Sequence, residues 1–123
     1  MKKSIREKVR LKYGERCAYS GTRLDDDWQV DHLIPIRNGG TDDIDNLMPC
    51  QKILNHYKRA LTLERFRVNW LGGLHKRISK LPKHPRTEKS KKHKAYMLKI
   101  AGYFDITPDK PFTGTFYFEK INL

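Results

Sequence analysis

The chain has 123 residues, enough for one compact domain and hardly for two, so a single core with an appendage is expected. Hydrophobic residues make up 37% and charged residues 33%, which implies a small core and a large solvated or ligand-facing surface. Lys and Arg number 26 against 14 Asp and Glu, and the formal net charge of +12 favours a polyanionic partner, nucleic acid first. No amphipathic run with a broad apolar face points to anionic lipid, and no long apolar segment exists. Met1-Lys2-Lys3 leads into a charged stretch, so neither export nor membrane insertion is indicated and cytoplasmic residence is expected. Cys17 and Cys50 are too few for a disulfide framework; a reducing compartment keeps them as thiols, and the sequence leaves a bond between them open.

Ser4 can cap a first helix over 5–13, in which Ile5 and Val9 share a face and Gly14 ends the run. Its basic residues are expected mainly on a solvated face. Trp28-Gln29-Val30 suits a strand that Asp31 and His32 end. Successive strand side chains point to opposite faces, so these two address one site only where the strand twists or bulges. Arg37-Asn38-Gly39-Gly40 forces a turn, Leu47-Met48 supplies a short returning strand, and Pro49 breaks it. Ile53, Leu54, Tyr57 and Leu61 then recur at helical spacing, giving a hairpin followed by a helix.

The acidic runs Asp25-Asp26-Asp27 and Asp42-Asp43-Ile44-Asp45 lack the glycine and terminal glutamate of a calcium loop, so turn and capping roles are expected, with Asp45 bracing the loop at Asn46. Thr62 can cap a second long helix whose stripe is Leu63, Phe66, Trp70, Leu74, Ile78 and Leu81; Gly72-Gly73 divides it and Pro82 ends it. Arg59, Arg65 and Arg67 lie off the stripe and could reach a nucleic-acid backbone. The basic segment 76–94 reads as a linker entering a helix, either solvated or serving as a phosphate-contacting arm. Ala95, Leu98, Ala101 and Phe104 mark that third helix, 105–111 is a turn-rich loop, and 115–121 reads as an aromatic strand that must pair or be covered. No internal repeat is found. The first 81 residues are expected to form the main domain, with 82–123 packed on it as an extension.

Within 30–58 the ordered set Asp31-His32, Pro35, Gly39-Gly40, Asp45-Asn46-Leu47 and Asn55 with Lys58 three residues on resembles the HNH nucleases, the ββα-metal or His-Me finger family. The resemblance implies an α+β fold built on a ββα hairpin and helix, here with flanking helices and a C-terminal strand. It also implies His32 as general base, Asp31 and Asn55 as ligands of one divalent ion, and Asn46 fixing the loop and orienting His32. Asn55 stands where many relatives carry a histidine; the HNH domain of RNA-guided CRISPR nucleases has the same asparagine and the same spacing to lysine. His56 is the neighbouring alternative ligand. These residue types suit the reaction, because phosphodiester hydrolysis needs a base beside the water and a cation on the phosphate, and a magnesium or manganese ion takes hard oxygen ligands. Arg37, Lys58, Arg59, Arg65 and Arg67 are the candidate nucleic-acid contacts.

Many relatives also carry two Cys-x-x-Cys knuckles. Here Ser20, Gln51 and Leu54 occupy three of the four positions, Cys17 alone remains, and Cys50 lies one residue too early, so no structural zinc is expected. Tyr19, Leu24, Trp28, Ile53 and Leu54 are available to pack in its place. The tail resembles that of small stand-alone bacterial and phage HNH proteins. The reading is therefore a metal-dependent DNA endonuclease, acting as a monomer or dimer, or with a partner protein that supplies specificity. The alternatives are a catalytically decayed nucleic-acid-binding module, and an RNA or non-specific nuclease of the colicin kind.

Overall fold

The β-branched and aromatic residues around Val30 do form a strand. In the computed structural model, which describes residues 1–122, β1 (Gln29–His32) runs antiparallel to β2 (Leu47–Cys50). Gln29 pairs with Cys50, Val30 with Pro49, Asp31 with Met48 and His32 with Leu47. Strand β2 thus runs through Pro49, where the sequence suggested a break. The Pro49 carbonyl accepts from the Ala18 amide at 2.8 Å, so its backbone faces away from β1 and the missing N–H removes no bond from the ladder. Helix α2 (Lys52–Lys58) comes at once after it and buries Leu54 and Tyr57. The protein is α+β, a small sheet among helices. Among the described residues no helix is long and apolar enough to cross a membrane.

Helix α1 (Lys3–Leu11) starts earlier than Ser4 would have capped it, with Lys2 at the N-cap and no side-chain cap. It packs through Val9 on Trp28 and Leu47. One cation of α1 and one just past its end are tied to the hairpin region: the Arg6 guanidinium lies 3.9 Å from the Trp28 ring centre and donates to the Trp28 carbonyl, and Lys12 Nζ donates to the carbonyls of Ile44 and Leu47 at 2.8 and 3.0 Å.

Thr62 caps as expected, its hydroxyl accepting from the Arg65 amide at 3.2 Å. The segment beyond this cap is not one regular helix. After α3 (Leu63–Arg65) the chain makes a π-turn over Phe66–Leu71, then α4 (Leu74–Ser79) resumes beyond the two glycines. The Gly72 amide donates five residues back to Arg67 at 2.9 Å, and a Cβ on Gly72 would meet the Val68 carbonyl oxygen at 2.2 Å, so the wide turn closes only over a glycine. One extra residue in the turn shifts the apolar phase. The buried set is Phe66, Leu71, Leu74 and Ile78, while Trp70, which a regular 3.6-residue stripe would bury, is only half-buried.

Helix α5 (Glu88–Tyr103) begins at the Thr87 cap, inside the basic segment, and closes the main core with Met97, Ile100 and Ala101. Leu98, expected on the inner face, is exposed. The expected C-terminal strand is instead a short helix, α6 (Tyr117–Ile121). Its first amides, which no helical turn can satisfy, donate outward: Tyr117 to the Tyr19 carbonyl at 3.0 Å and Phe118 to that of Ala18 at 2.9 Å. Glu119 accepts from the Phe116 amide at 2.9 Å and is gripped at both carboxylate oxygens by Arg67, at 2.6 and 2.7 Å. The fully buried Phe116 stacks on Phe66, ring centres 5.6 Å apart, and meets Tyr19 edge-on. The aromatic run is covered by folding into the core as a turn, not by pairing.

Candidate active site

Where β1 ends, the chain turns through Pro35 and a short 3-10 turn at Ile36–Asn38, and a cleft of about 160 Å³ opens. Asp31, His32, Pro35, Ile36, Arg59 and Ala60 line it. Two neighbours on one strand share this cleft because it lies at the strand's end, where alternation no longer separates them.

The loop carrying the chain from His32 back to β2 is held by Asn46. Its Oδ1 accepts from the Ile34 amide at 2.8 Å, and its Nδ2 donates to the carbonyls of Ile34 and Thr41 at 3.0 and 2.8 Å. Asn46 makes no bond to His32 itself. Gly40 tightens the same loop: its amide donates to the Pro35 carbonyl at 3.0 Å, and a Cβ there would fall 1.7 Å from the Ile34 oxygen, so no other residue fits without moving backbone. The braced loop presents Asp42, whose Oδ1 lies 2.8 Å from His32 Nε2. A carboxylate only accepts, so the bond fixes the tautomer with the proton on Nε2 and leaves the Nδ1 lone pair free.

Asp31 is held differently. It is 6% exposed, and its Oδ2 accepts from the Tyr19 hydroxyl at 2.5 Å and pairs with Lys58 Nζ at 3.0 Å. Burial, together with the charge of Asp31, pushes the Tyr19 phenol well above its ordinary value, so it remains a donor. Lys58 is wholly buried and also donates to the His32 carbonyl at 3.3 Å. Assigned by sequence to the nucleic-acid surface, Lys58 is instead the internal counter-ion of Asp31. The other Asp31 oxygen makes no hydrogen bond among the described residues and is not one of their buried unpartnered atoms, so it opens to the cleft.

Asn55 donates from Nδ2 to Gln29 Oε1 at 2.8 Å. Gln29 and Asp31 lie on the same face of β1, so Asn55 sits over that face, beside the cleft but not in its lining. Its Oδ1 carries no bond among the described residues. His56 is not brought to this site: it points the opposite way, its Nδ1 2.7 Å from the Tyr96 hydroxyl. Among the described residues no group of three or more His, Cys, Asp and Glu converges. The donor chemistry, one open carboxylate oxygen of Asp31 and an unengaged amide oxygen of Asn55 over the same face of β1, is of the hard-oxygen kind that suits a magnesium-type ion, which completes its shell with water and phosphate.

The remaining candidates divide. Arg59 lines the cleft and is exposed, Arg37 is exposed and donates to the Ala60 carbonyl at 3.0 Å, and Arg65 is exposed. Arg67 is engaged by Glu119, Glu64 and the Gly114 carbonyl, a clamp on α6 and not a nucleic-acid contact. At the eroded knuckle Cys17 and Cys50 are both buried free thiols close enough to influence each other, and Cys17 Sγ accepts from the Ser20 amide at 3.5 Å. Burial drives the Cys50 thiol up, whereas at Cys17 burial is outweighed by bonds involving Cys50, Ser20 and the Gln51 backbone, which bring it down to about 6. The Gln51 amide ties this loop by accepting from the Asp25 amide and donating to Thr22 and the Arg23 carbonyl, and Leu54 fills the core beside it.

Sequence reasoning missed Asp42 and Tyr19 as site residues. Asp42 lay in a run of acids with nothing to single it out, and Tyr19 lay in the knuckle, twelve residues from its partner. The Asn55 to Lys58 spacing was a usable signal, since residues three apart on a helix share a face. Compared with known families, residues 15–51 match HNH endonuclease, a span that includes Asp31, His32 and Asn46 and stops before Asn55. No curated protein and no solved structure matches the chain. Residues 15–51 are thus similar to the HNH endonucleases, a family of nucleases, over the stretch that holds Asp31, His32 and Asn46.

Proposed function

We propose that this protein is a divalent-metal-dependent endonuclease that hydrolyses DNA phosphodiester bonds, with His32 as its general base. The observation that carries the reading is one cleft shared by Asp31 and an imidazole whose Nε2 is anchored on Asp42. His32 Nδ1 takes a proton from the attacking water as the water oxygen bonds to phosphorus, and Asp42 stabilises the imidazolium that results. The bond from phosphorus to the 3′ oxygen breaks, and a proton from solvent completes the leaving hydroxyl, giving 5′-phosphate and 3′-hydroxyl ends. A divalent ion held by the free oxygens of Asp31 and Asn55 supplies, when bound, positive charge to the phosphate and the leaving oxygen. Arg59 and Arg37 at the rim hold phosphates of the strand, and the excess positive charge steers the polymer to the protein. A single cleft cuts a single strand, so a duplex break needs two nicks or two copies.

The test is conversion of supercoiled plasmid by wild type and His32→Ala in magnesium, manganese or EDTA. Wild type is expected to nick with either ion and not in EDTA, and His32→Ala to lose the activity. Equal conversion by both proteins would remove His32 from the role, and binding without cutting under every condition would reduce the protein to a nucleic-acid binder.

A further inference from the structure

The face of α2 turned away from Asp31 borders a second cleft, of about 250 Å³, between α2, α5 and the loop bearing Asp27. Its size suits one heterocycle rather than a whole ligand. Tyr96 and Ile53 give it an aromatic and aliphatic wall. The Tyr96 ring is held by two neighbours: its hydroxyl meets His56 Nδ1, and the ring stands edge-on to His56 and Tyr57 at centroid distances of 5.7 and 6.2 Å. A ring already held in place offers a stacking platform with little further loss of side-chain entropy. Lys52 and Lys99 stand exposed at the edges, and neither has an ion-pair partner among the described residues.

Two carboxylates also line the cleft: that of Asp25 is engaged by the Tyr103 hydroxyl at 2.9 Å, whereas that of Asp27 has no partner among the described residues; it would repel phosphate, yet it accepts hydrogen bonds from an amino group. The cleft therefore admits a neutral ring with a donor edge, flanked by phosphates on the lysines. Helix α2 joins the two clefts. Lys52, His56 and Arg59 are all exposed and recur at four and three residues; the first two line this cleft and Arg59 lines the catalytic one. From Lys52 to Arg59 is about 10 Å along the helix, a distance a strand covers within a few nucleotides.

We infer that the cleft between α2 and α5 is a nucleobase subsite. It takes one unpaired base bearing an exocyclic amine, stacked on Tyr96 and read by Asp27, from the strand whose neighbouring phosphate lies at His32. The inference rests on the proposed nuclease activity and narrows its substrate to nucleic acid with a single-stranded segment beside the cut. In a duplex that amino edge is paired and the ring is stacked between its neighbours.

The test is binding of short fluorescent homo-oligonucleotides to the full chain in EDTA, read by anisotropy, with plasmid nicking in magnesium assayed alongside. Oligo(dA) and oligo(dC) are expected to bind about tenfold more tightly than oligo(dT), and Asp27→Ala, an exposed loop substitution that spares the fold, to shrink that preference to about twofold or less. Tyr96→Leu is expected to weaken all three by about tenfold, with its folding checked by urea denaturation, and Lys99→Glu to weaken all three as well. Equal wild-type affinity for the three oligonucleotides, or a preference that survives Asp27→Ala, overturns the subsite. If the plasmid is still nicked in that case, the nuclease reading stands and the subsite alone falls; absence of both binding and nicking overturns both.

Discussion

The two walls of the cleft at His32 are built on opposite principles. On one side Asp31, Tyr19 and Lys58 form a buried cluster, every member at 6% exposure or less, in which each group is held by the others. On the other side His32 and Asp42 meet in the open, with 31% and 83% of their side chains exposed. A buried ion pair is firm because neither partner can be left alone in a low dielectric, whereas an exposed pair adds little to stability. Burial alone therefore separates the wall that holds its charges in place from the wall that opens to solvent.

The sharpest way to break the contrast is to remove one member from each wall. His32→Ala is expected to lower the nicking rate by about 10²–10⁴-fold, with unfolding stability unchanged to about 0.5 kcal/mol, as measured by nicking kinetics and urea titration. Lys58→Met is expected to behave in reverse order of cause: it strands the Asp31 charge in the interior and removes about 3–5 kcal/mol from stability, seen as a lower urea midpoint even without substrate. A urea midpoint for Lys58→Met equal to wild type would mean that the pair is not buried in solution. Tyr19→Phe deletes one donor to a carboxylate that keeps its lysine, for an expected loss of about 1–3 kcal/mol. Asp42→Asn should leave stability alone and slow nicking by about tenfold or more, because the amide no longer enforces the Nε2 proton or offsets the imidazolium charge.

The smallest effect belongs to the clamp on α6. The Arg67 hydrogen bonds hold the Glu119 carboxyl below its ordinary value despite partial burial. A depressed carboxyl contributes stability above the unfolded value, about 4.3, and loses it as the pH falls below that toward the folded value. The wild type should therefore be stabilised by the clamp at pH 7 and lose that part on acidification. Glu119→Gln should be less stable by about 1 kcal/mol at pH 7, and the gap to wild type should shrink as the pH falls below about 4.3, as read from urea midpoints along that range.

Much of this architecture was legible in the residues, and the failures have a common cause. Gly39-Gly40, Val30 beside Trp28 and the spacing of Leu54 and Tyr57 made hairpin and helix legible because each is a local preference that the tertiary structure accepts. The Asp31, His32 and Asn46 pattern was readable as a family motif. What stayed hidden was decided by partners distant in sequence. The strand expected at 115–121 lost to a turn whose amides reach Ala18 and Tyr19 and whose carboxylate reaches Arg67. Pro49 sits in a strand because Ala18 takes its outward side. Lys58 and Arg67 look like surface cations until their acids, Asp31 and Glu119, are placed beside them.

The π-turn over Phe66–Leu71 gives the C-terminal quarter of the chain an unusual dependence. One surplus residue lets Arg67 face α6 while Leu71 and Leu74 still turn inward. Were the same residues wound as an ordinary α-helix with none removed, Arg67 would swing by about 100° around the axis relative to Leu71 and Leu74, away from Glu119. The docking of α6 is thus written in the width of one turn as much as in the residues that touch it.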